Sequence, residues 1–430
     1  MITYVCTLCK QTSEKSVRVV AVSCGSVGVR ILLEGMLEEG FMPVDNNLFQ
    51  KNANTSLVAR LIWQRKSISR ADIARELNLY RSTVTNITSY LINSGVVVEG
   101  KLLASTQQGG RKAVELSINP EFGCVFGFDI QPSHYRTVIL SADGTELWRE
   151  TGSFGLIPIT EMIERVVDRT MMAHKSIKIP VIAMSFAIPG IVDASNGCVV
   201  ESFPFEIKNL DIRSIIGGKY GFPVLVENDA NTAAWVDILK NGAWGNAISL
   251  VADFHEESRV NPNIIGIGAG LGIILSGKVY RGSHNAAGEF KSVTWREGLI
   301  NQSGLDIGIL NSTIDDRESL AQWIEDTFRS LISIVSVLDV EKIILHGMPF
   351  SDREWVMHVL EERVPSFLGI IGQYGCSLVF DSQDECISAS GAAMMCLHTL
   401  FGVPSLEDSE WNGAFSWQQT IEFLQGQKHR

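Results

Sequence analysis

One stretch constrains this chain more than any other: VENDANTAAW, Val226 to Trp235. The apolar run from Phe222 to Val226 leads straight into Glu227, Asn228 and Asp229, and small residues follow at helical spacing. A strand that ends in three polar residues and turns at once into a helix is well placed to present a carboxylate to a ligand. The sequence around it alternates strands and helices twice over. Cys124 to Leu147 reads as strand, turn, strand, with Asp143-Gly144 as a hairpin signal. A helix over Thr160–Ala173, a buried strand over Val181–Ala187, a helix over Leu210–Tyr220 and a strand over Val224–Val226 follow. The second half has a Gly-rich hairpin from Ile264 to Gly282, a long helix over Ser319–Leu338, a strand over Lys342–Leu345 and a Gly/Ala-containing helix over Ala389–Leu400. The pattern predicts a two-lobed α/β body with a cleft between the lobes.

A chain of 430 residues has room for two to four domains. The best membrane-spanning candidate, Val17 to Leu33, is broken by Arg18, Arg30, Gly25 and Gly28. Glu14 and Lys15 ahead of it spoil a signal peptide, so the expected compartment is the cytoplasm and no membrane partner is expected. The 8 cysteines are too dispersed for a disulfide framework, and Cys6 and Cys9 are read as an incidental pair. The net charge of −12 hides an asymmetry: residues 55–118 hold nine Lys/Arg against four Asp/Glu. A basic segment on an acidic body points to a module for a polyanion.

That basic segment has its own pattern. Leu57 to Trp63 forms a first short helix. Ser69 with Asp72 three residues on is a capping-box-like start, and Ala71, Ile73, Ala74 and Leu77 make one buried face. After a turn at Asn78-Leu79, a helix over Arg81–Asn93 has Val84, Ile87 and Leu91 on its inner stripe, and Gly95 ends it. Two short helices and a tight turn make a helix-turn-helix. Its second helix offers Arg81, Ser82, Thr83, Thr85 and Asn86 outward, types that reach phosphates and base edges in a major groove. Val96–Val98, a turn at Glu99-Gly100 and a second run over Val114–Ile118 flank a flexible tip with Gly109, Gly110, Arg111 and Lys112, which reads as a wing for phosphates or a narrow minor groove. Operator DNA is the expected partner; a hairpin for protein contacts is the competing reading.

Residues 55–400 resemble the ROK family, which groups sugar kinases with sugar-responsive transcriptional repressors. The resemblance rests on the winged helix with GGRK, on FAIPGIVD (186–193), VENDANTAA (226–234), GIGAGLGIILSGKVYRG (266–282) and AAGEF (286–290), in the family's order. It implies an actin-like, ribonuclease-H-like fold with a sugar or sugar-phosphate site between lobes, and a homodimer or homotetramer formed through the second lobe. An N-terminal helix-turn-helix implies the repressor branch. By the same resemblance Asn228, Asp229 and Glu289 are sugar contacts, with Asn209 a polar contact from the opposite wall, for which a loop-capping role is the competing reading. Asp229 would be the catalytic base of a kinase; its competing reading is a helix N-cap.

The chain departs from the kinases where they hold phosphate. Their Asp-x-Gly-Gly-Thr loop is here Asp129, Ile130, Gln131, Pro132 and Ser133, and their late Gly-Gly is His346-Gly347. Gln131 adds a side chain and Pro132 removes a donor where backbone N–H groups should approach a phosphate. No cofactor and no phosphotransfer are therefore expected; an active ATP-dependent kinase with an accessory domain is the alternative. The zinc ligands of some family members are missing too. Ser292 stands at the histidine position, and residues 294–304 hold no cysteine or histidine, so no metal is expected. The expected division is an extension (1–50), the winged domain (51–120), a first lobe (121–238, completed by helix 386–400), a second lobe (239–385) and a tail (401–430).

Overall fold

The computed structural model describes residues 18–22, 30–34, 46–102, 114–132, 134–155, 157–240, 242, 245–255, 266–299, 301–381, 384–402 and 417–427. The chain forms two compact units, Met1–Lys51 and Asn52–Arg430. The first unit carries an antiparallel hairpin, β1 (Arg18–Val22) and β2 (Arg30–Glu34).

The helix α1 (Asn46–Arg65) is far longer than the short helix expected from Leu57, extending upstream through a largely polar stretch. A two-residue strand β3 (Ile68–Ser69) leads into α2 (Arg70–Glu76) and α3 (Arg81–Asn93), followed by β4 (Val97–Leu102) and β5 (Val114–Ile118). Ser69 caps α2 as its spacing requires, accepting from the Asp72 amide at 3.2 Å. Ile73 and Ala74 are buried, but Ala71 is exposed, since only one narrow stripe of a seven-residue helix faces inward. Glu99-Gly100 is not a turn: β4 runs through it, with a register irregularity against β5 between Glu99 and Leu102. Arg70 holds Glu99 from α2 at 2.7 Å.

The body is two five-stranded sheets of one topology. The first takes β6 (Cys124–Ile130), β7 (His134–Ser141), β8 (Glu146–Ser153), then helix α4 (Ile159–His174) and β9 (Val181–Ile188). A small three-stranded flap follows: β10 (Ile191–Asp193), β11 (Cys198–Ser202) and β12 (Ile207–Asp211). Helix α5 (Ile212–Tyr220) starts two residues later than expected, because Leu210 and Asp211 pair with β11 and the Asp211 side chain then caps the helix at Ser214 N. The sheet closes with β13 (Val224–Asn228), and α6 (Asp229–Leu239) crosses toward the second lobe. That lobe has β14 (Ala247–Phe254), β15 (Ile267–Leu275), β16 (Lys278–Val279), α7 (Ile307–Ser312), α8 (Arg317–Leu338), β17 (Lys342–His346), α9 (Arg353–Arg363), α10 (Pro365–Tyr374) and β18 (Ser377–Phe380). Helix α11 (Ile387–Leu400) returns to the first lobe, and α12 (Trp417–Gln427) packs Phe423 edge-on to Phe222, 6.1 Å between centroids. The strand orders are β13-β9-β6-β7-β8 and β18-β17-β14-β15-β16. In each, an antiparallel meander of three strands is extended by two parallel ones.

Helices α6 and α11 lie against each other at the centre. A Cβ built on Gly391 would sit 1.8 Å from the Thr232 carbonyl oxygen, and one on Gly127 would sit 2.0 Å from that of Ala389. The glycines of β15 do the same for α6: a Cβ on Gly272 would lie 2.5 Å from the Ala230 oxygen. The Gly-rich hairpin is thus explained by close helix packing. One core runs from α1 (Val58, Ile62, Trp63) through the winged domain to the end of α11 (Leu400, Phe401). Trp63 and Phe401 stack at 5.2 Å and 20°, and Lys66 donates to the Asp143 carbonyl in the β7–β8 turn at 2.7 Å. Among the described residues no helix is long and apolar enough to cross a membrane.

Gly391→Ala forces a methyl into backbone that cannot swing aside, so it should lower stability by about 1–3 kcal/mol or more. Gly369→Ala, in exposed α10 with open space at its Cβ, should raise it by about 0.4–1 kcal/mol. Urea melts of the two variants decide; loss of the same size in both would mean that close approach is not what Gly391 is for.

Candidate functional site

The cleft is built at the carboxyl ends of β6 and β13. The tight turn after β6, closed by Gln131 N to His134 O at 3.0 Å, sets Arg136 directly opposite Asp129 in the hairpin register. The guanidinium bridges two carboxylates: Nη1 to Asp129 Oδ2 at 3.0 Å and Nη2 to Asp253 Oδ2, on β14 of the second lobe, at 2.6 Å. Burial alone would lower the Arg136 pKa, but Asp129 and Asp253 raise it further. Burial alone would raise Asp253, but His134 and Arg136 hold it well below the usual carboxylate range. Gln131 lies across this pair. Its Nε2 donates to Asp129 Oδ1 at 2.8 Å and to Asp229 Oδ2 at 3.2 Å.

The β13–α6 junction supplies the opening motif. Asn228, not Asp229, is the N-cap: its Oδ1 accepts from Ala230 N at 2.9 Å and Asn231 N at 3.1 Å, and its Nδ2 donates to the Gly190 carbonyl at 3.0 Å. Cap duty therefore consumes Asn228 and leaves Asp229 Oδ2 directed into the cleft toward Gln131. Glu227 is 0% exposed and is held by Arg281 Nε at 2.7 Å and Asn231 Nδ2 at 3.1 Å. The Asp229 pKa is pushed up to about 7, first by burial and then by the Asp129 and Glu289 charges, with the Gln131 and Ala230 hydrogen bonds opposing. Glu289 stands exposed on the loop after β16, which the left-handed Gly288 (φ +95°) presses onto the Leu271 backbone. Asn209 sits on β12 of the flap, exposed, at φ +54°. Among the described residues no hydrogen bond joins it to Asn228, Asp229 or Glu289.

Residues 133–291, which span this cleft, match the family model described as ROK. That match covers less than half of the chain and makes it similar to the ROK family. The chain is 29% identical over 261 residues to the xylose repressor of Caldicellulosiruptor bescii, covering 58% of this chain and 60% of that protein. It is 23% identical over 262 residues to the DNA-binding transcriptional dual regulator NagC of Escherichia coli K12, covering 59% and 60%. The chain thus spans about 60% of the length of these curated relatives. A solved ROK family transcriptional regulator, described as a homolog of the E. coli MLC protein, superposes with a TM-score of 0.64 at 17% identity, over 87% of this chain and 100% of that one. Its likeness shows the fold: an actin-like two-lobed ROK body preceded by a winged helix-turn-helix.

Hydroxyls hold the segment around Ser292 and the loop after it. Asp326, buried on α8, accepts from Thr294 Oγ1 at 2.8 Å and Ser303 Oγ at 2.5 Å, and Ser330 Oγ accepts from Val293 N at 2.9 Å. Ser292 turns inward onto Thr294 at 2.8 Å. The late His346 is buried, with Nδ1 facing the Asp381 carbonyl at 3.1 Å and Nε2 facing the Asp237 carboxylate at 3.0 Å. Together Asp237, His346 and Asp381 bring ligating atoms within 4.8 Å of one another. Both imidazole nitrogens face oxygen acceptors, an arrangement that two ring N–H donors would satisfy. Burial lowers the His346 pKa, the hydrogen bonds and charges of Asp237 and Asp381 together raise it by more, and the net shift is upward.

On α3, Arg81, Ser82, Thr85 and Asn86 are exposed on one side, while Thr83 is half-buried and the Thr85 hydroxyl is bonded back to Arg81 O at 2.8 Å. Tyr80, immediately before the helix and 84% exposed, was not singled out from the sequence, because an aromatic at that position reads as core. Arg111 and Lys112 lie outside the described residues. Also missed were Arg136, Asp253 and Arg281. Counting the hairpin register from a turn at 131–134 would have found Arg136 opposite Asp129; nothing local marks Asp253.

Because the folded pKa of Asp229 (about 7) lies above the ordinary 3.8, the folded chain keeps a proton that the unfolded one has lost between those values. Stability contributed here is lost as pH rises toward 7. Asp229→Asn should therefore melt higher than the parent near pH 8, with the gain shrinking as pH falls toward 4. A gain independent of pH would show that Asp229 is an ordinary carboxylate.

Proposed function

We propose that this chain is a sugar-responsive transcriptional repressor. It binds operator DNA through α3 and the wing segment, and a sugar in the cleft at Asp229, with Asn228 shaping the junction and Glu289 and Asn209 completing the contacts. The single observation that carries the reading is the continuous core between the winged domain and the cleft helices. Asp229 begins α6; its carbonyl accepts from Ser388 Oγ of α11 at 3.1 Å; Trp235 of α6 tilts onto His398 of α11 at 4.5 Å; and α11 ends in Phe401 against Trp63 of α1. A change at the cleft thus has a packed route to the DNA helices. The names of the relatives, xylose repressor and NagC, support a sugar effector and a DNA target.

In this reading the ligand shifts lobe closure, and closure changes the spacing of paired helix-turn-helix units in a homodimer or homotetramer. Half-sites a helical turn apart, or multiples of it, are then matched or mismatched. A carboxylate suits a sugar because it accepts two hydroxyl hydrogen bonds, and a charged acceptor makes them stronger. The Asp229 pKa near 7 also fits a general base, which favours an ATP-dependent sugar kinase as the second reading. Against it, Gln131 and Arg136 fill the space beside Asp129 with side chains. Phosphotransfer is therefore not part of the proposal, and coupled ADP release across hexoses and pentoses would revive it.

A gel-shift screen of the DNA upstream of its own operon tests the main reading. Salt-sensitive, sequence-preferring binding is expected; its absence on every fragment sinks it. Arg81→Ala and Asn86→Ala should each cost about 1–3 kcal/mol of DNA affinity and leave the melting curve unchanged.

Asp229→Ala should bind DNA normally yet need at least about tenfold more sugar for release, from the loss of about 1.5–3 kcal/mol per charged hydrogen bond. D-xylose and N-acetylglucosamine are the first probes. Release at the parental concentration would put the sugar elsewhere.

A further inference from the structure

Two arginines cross between the lobes beside Asp229. Arg281, from the second lobe, holds Glu227 one side of it; Arg136, from the first, holds Asp253 on the other. The second crossing is wired to Asp229 itself. Gln131 Nε2 has two hydrogens, and both are used: one on Asp129 Oδ1 at 2.8 Å, one on Asp229 Oδ2 at 3.2 Å. Asp129 spends its other oxygen on Arg136 at 3.0 Å, and Arg136 spends its second arm on Asp253 at 2.6 Å. Asp129 and Gln131 are buried, and the Arg136 side chain is 16% exposed, so water does little to screen the chain of contacts.

We infer that Asp229, Gln131, Asp129, Arg136 and Asp253 form one relay, in which Gln131 and Arg136 are positioning residues that convert occupancy of the Asp229 site into closure of the second lobe. The inference rests on the sugar-site reading above. The physics is competition for shared acceptors. A ligand hydroxyl that donates to Asp229 takes up part of its acceptor strength and weakens its hold on the Gln131 amide. The amide then bonds more strongly to Asp129, which loosens Asp129 from Arg136 and changes how firmly Arg136 grips Asp253. Among the described residues no side-chain hydrogen bond joins Asp229 and Asp253 to a common partner, so without the relay their coupling should be small. A glycine at position 131 would have no amide to link the carboxylates, and a lysine at 136 would have no fork to bridge them.

The test uses the full chain and needs no ligand for its first arm. A double-mutant cycle of Asp229→Asn and Asp253→Asn is measured by urea unfolding in the parent and in Gln131→Leu. The relay requires a coupling in the parent of more than about threefold in the unfolding constant, and its disappearance in Gln131→Leu. Gln131→Ala repeats the measurement if Gln131→Leu fails to fold. Additivity in the parent, or the same coupling without Gln131, overturns the inference. In the second arm D-xylose is titrated against protein–DNA complex, with binding followed separately by calorimetry. The parent should lose DNA affinity by about fivefold or more, and Arg136→Lys by less than about twofold while still binding the sugar. A parental response in Arg136→Lys also overturns the relay. If no sugar binds the parent while the cycle shows its coupling, the sugar-site reading has failed and the relay stands as an interlobe contact.

Discussion

The structure depends on one close approach, the backbone of α11 against the backbone of α6. It is possible only because position 391 carries no side chain beyond hydrogen, with Thr232 O where a methyl would stand. Both helices face both neighbours: α11 lies on β6 through Gly127, and α6 lies on β15 through Gly270 and Gly272. Dense packing of this kind is not continuously deformable, so a shift at one end is passed along rather than absorbed. The end of α6 that faces the cleft carries Asp229, and the end of α11 that leaves it carries Phe401 on Trp63. The winged domain is therefore seated on the same helices that frame the cleft.

The cleft is acidic and held together by a few donors. Asp129, Asp229, Asp253, Glu227 and Glu289 converge there, with Arg136 and Arg281 as the paired cations. Carboxylates in that number cannot all ionise freely. The three held by an arginine, Asp129, Glu227 and Asp253, are committed to structure. Asp229, which has only an amide and a backbone N–H, takes the strain as a raised pKa. The group with the least local compensation is the one a ligand can most improve by donating hydroxyls to it.

Much of this was legible in the sequence, because periodicity and caps act locally. The helix over Arg81–Asn93, the Ser69 cap, the Asp143-Gly144 turn and the long α8 follow from patterns within a few residues. Errors fell where a tertiary partner decides. Leu210 joined a strand because β11 was there to pair with it, and Glu99-Gly100 stayed in a strand because β5 was. The flap sheet, β14 and the α9–α10 pair were not foreseen, although Asn196-Gly197 marks the β10–β11 turn. At the site, Asp229 and Asn228 stood out, but their division of labour did not: either could cap α6, and only the observed bonds assign the cap to Asn228.

Gln131 and Ser292 looked like losses when read against a kinase, because each stands where a functional residue was expected. In the fold each has a partner set of its own. Gln131 spans two carboxylates that a glycine would leave apart, and Ser292 belongs to a hydroxyl network closed by Asp326. A loop tied down by a buried carboxylate and two lobes joined through Arg136 are held by the chain's own side chains. Set beside the phosphate loop and zinc ligands expected of a kinase, these positions show less an absence of parts than their replacement by side chains that hold the two lobes together from within.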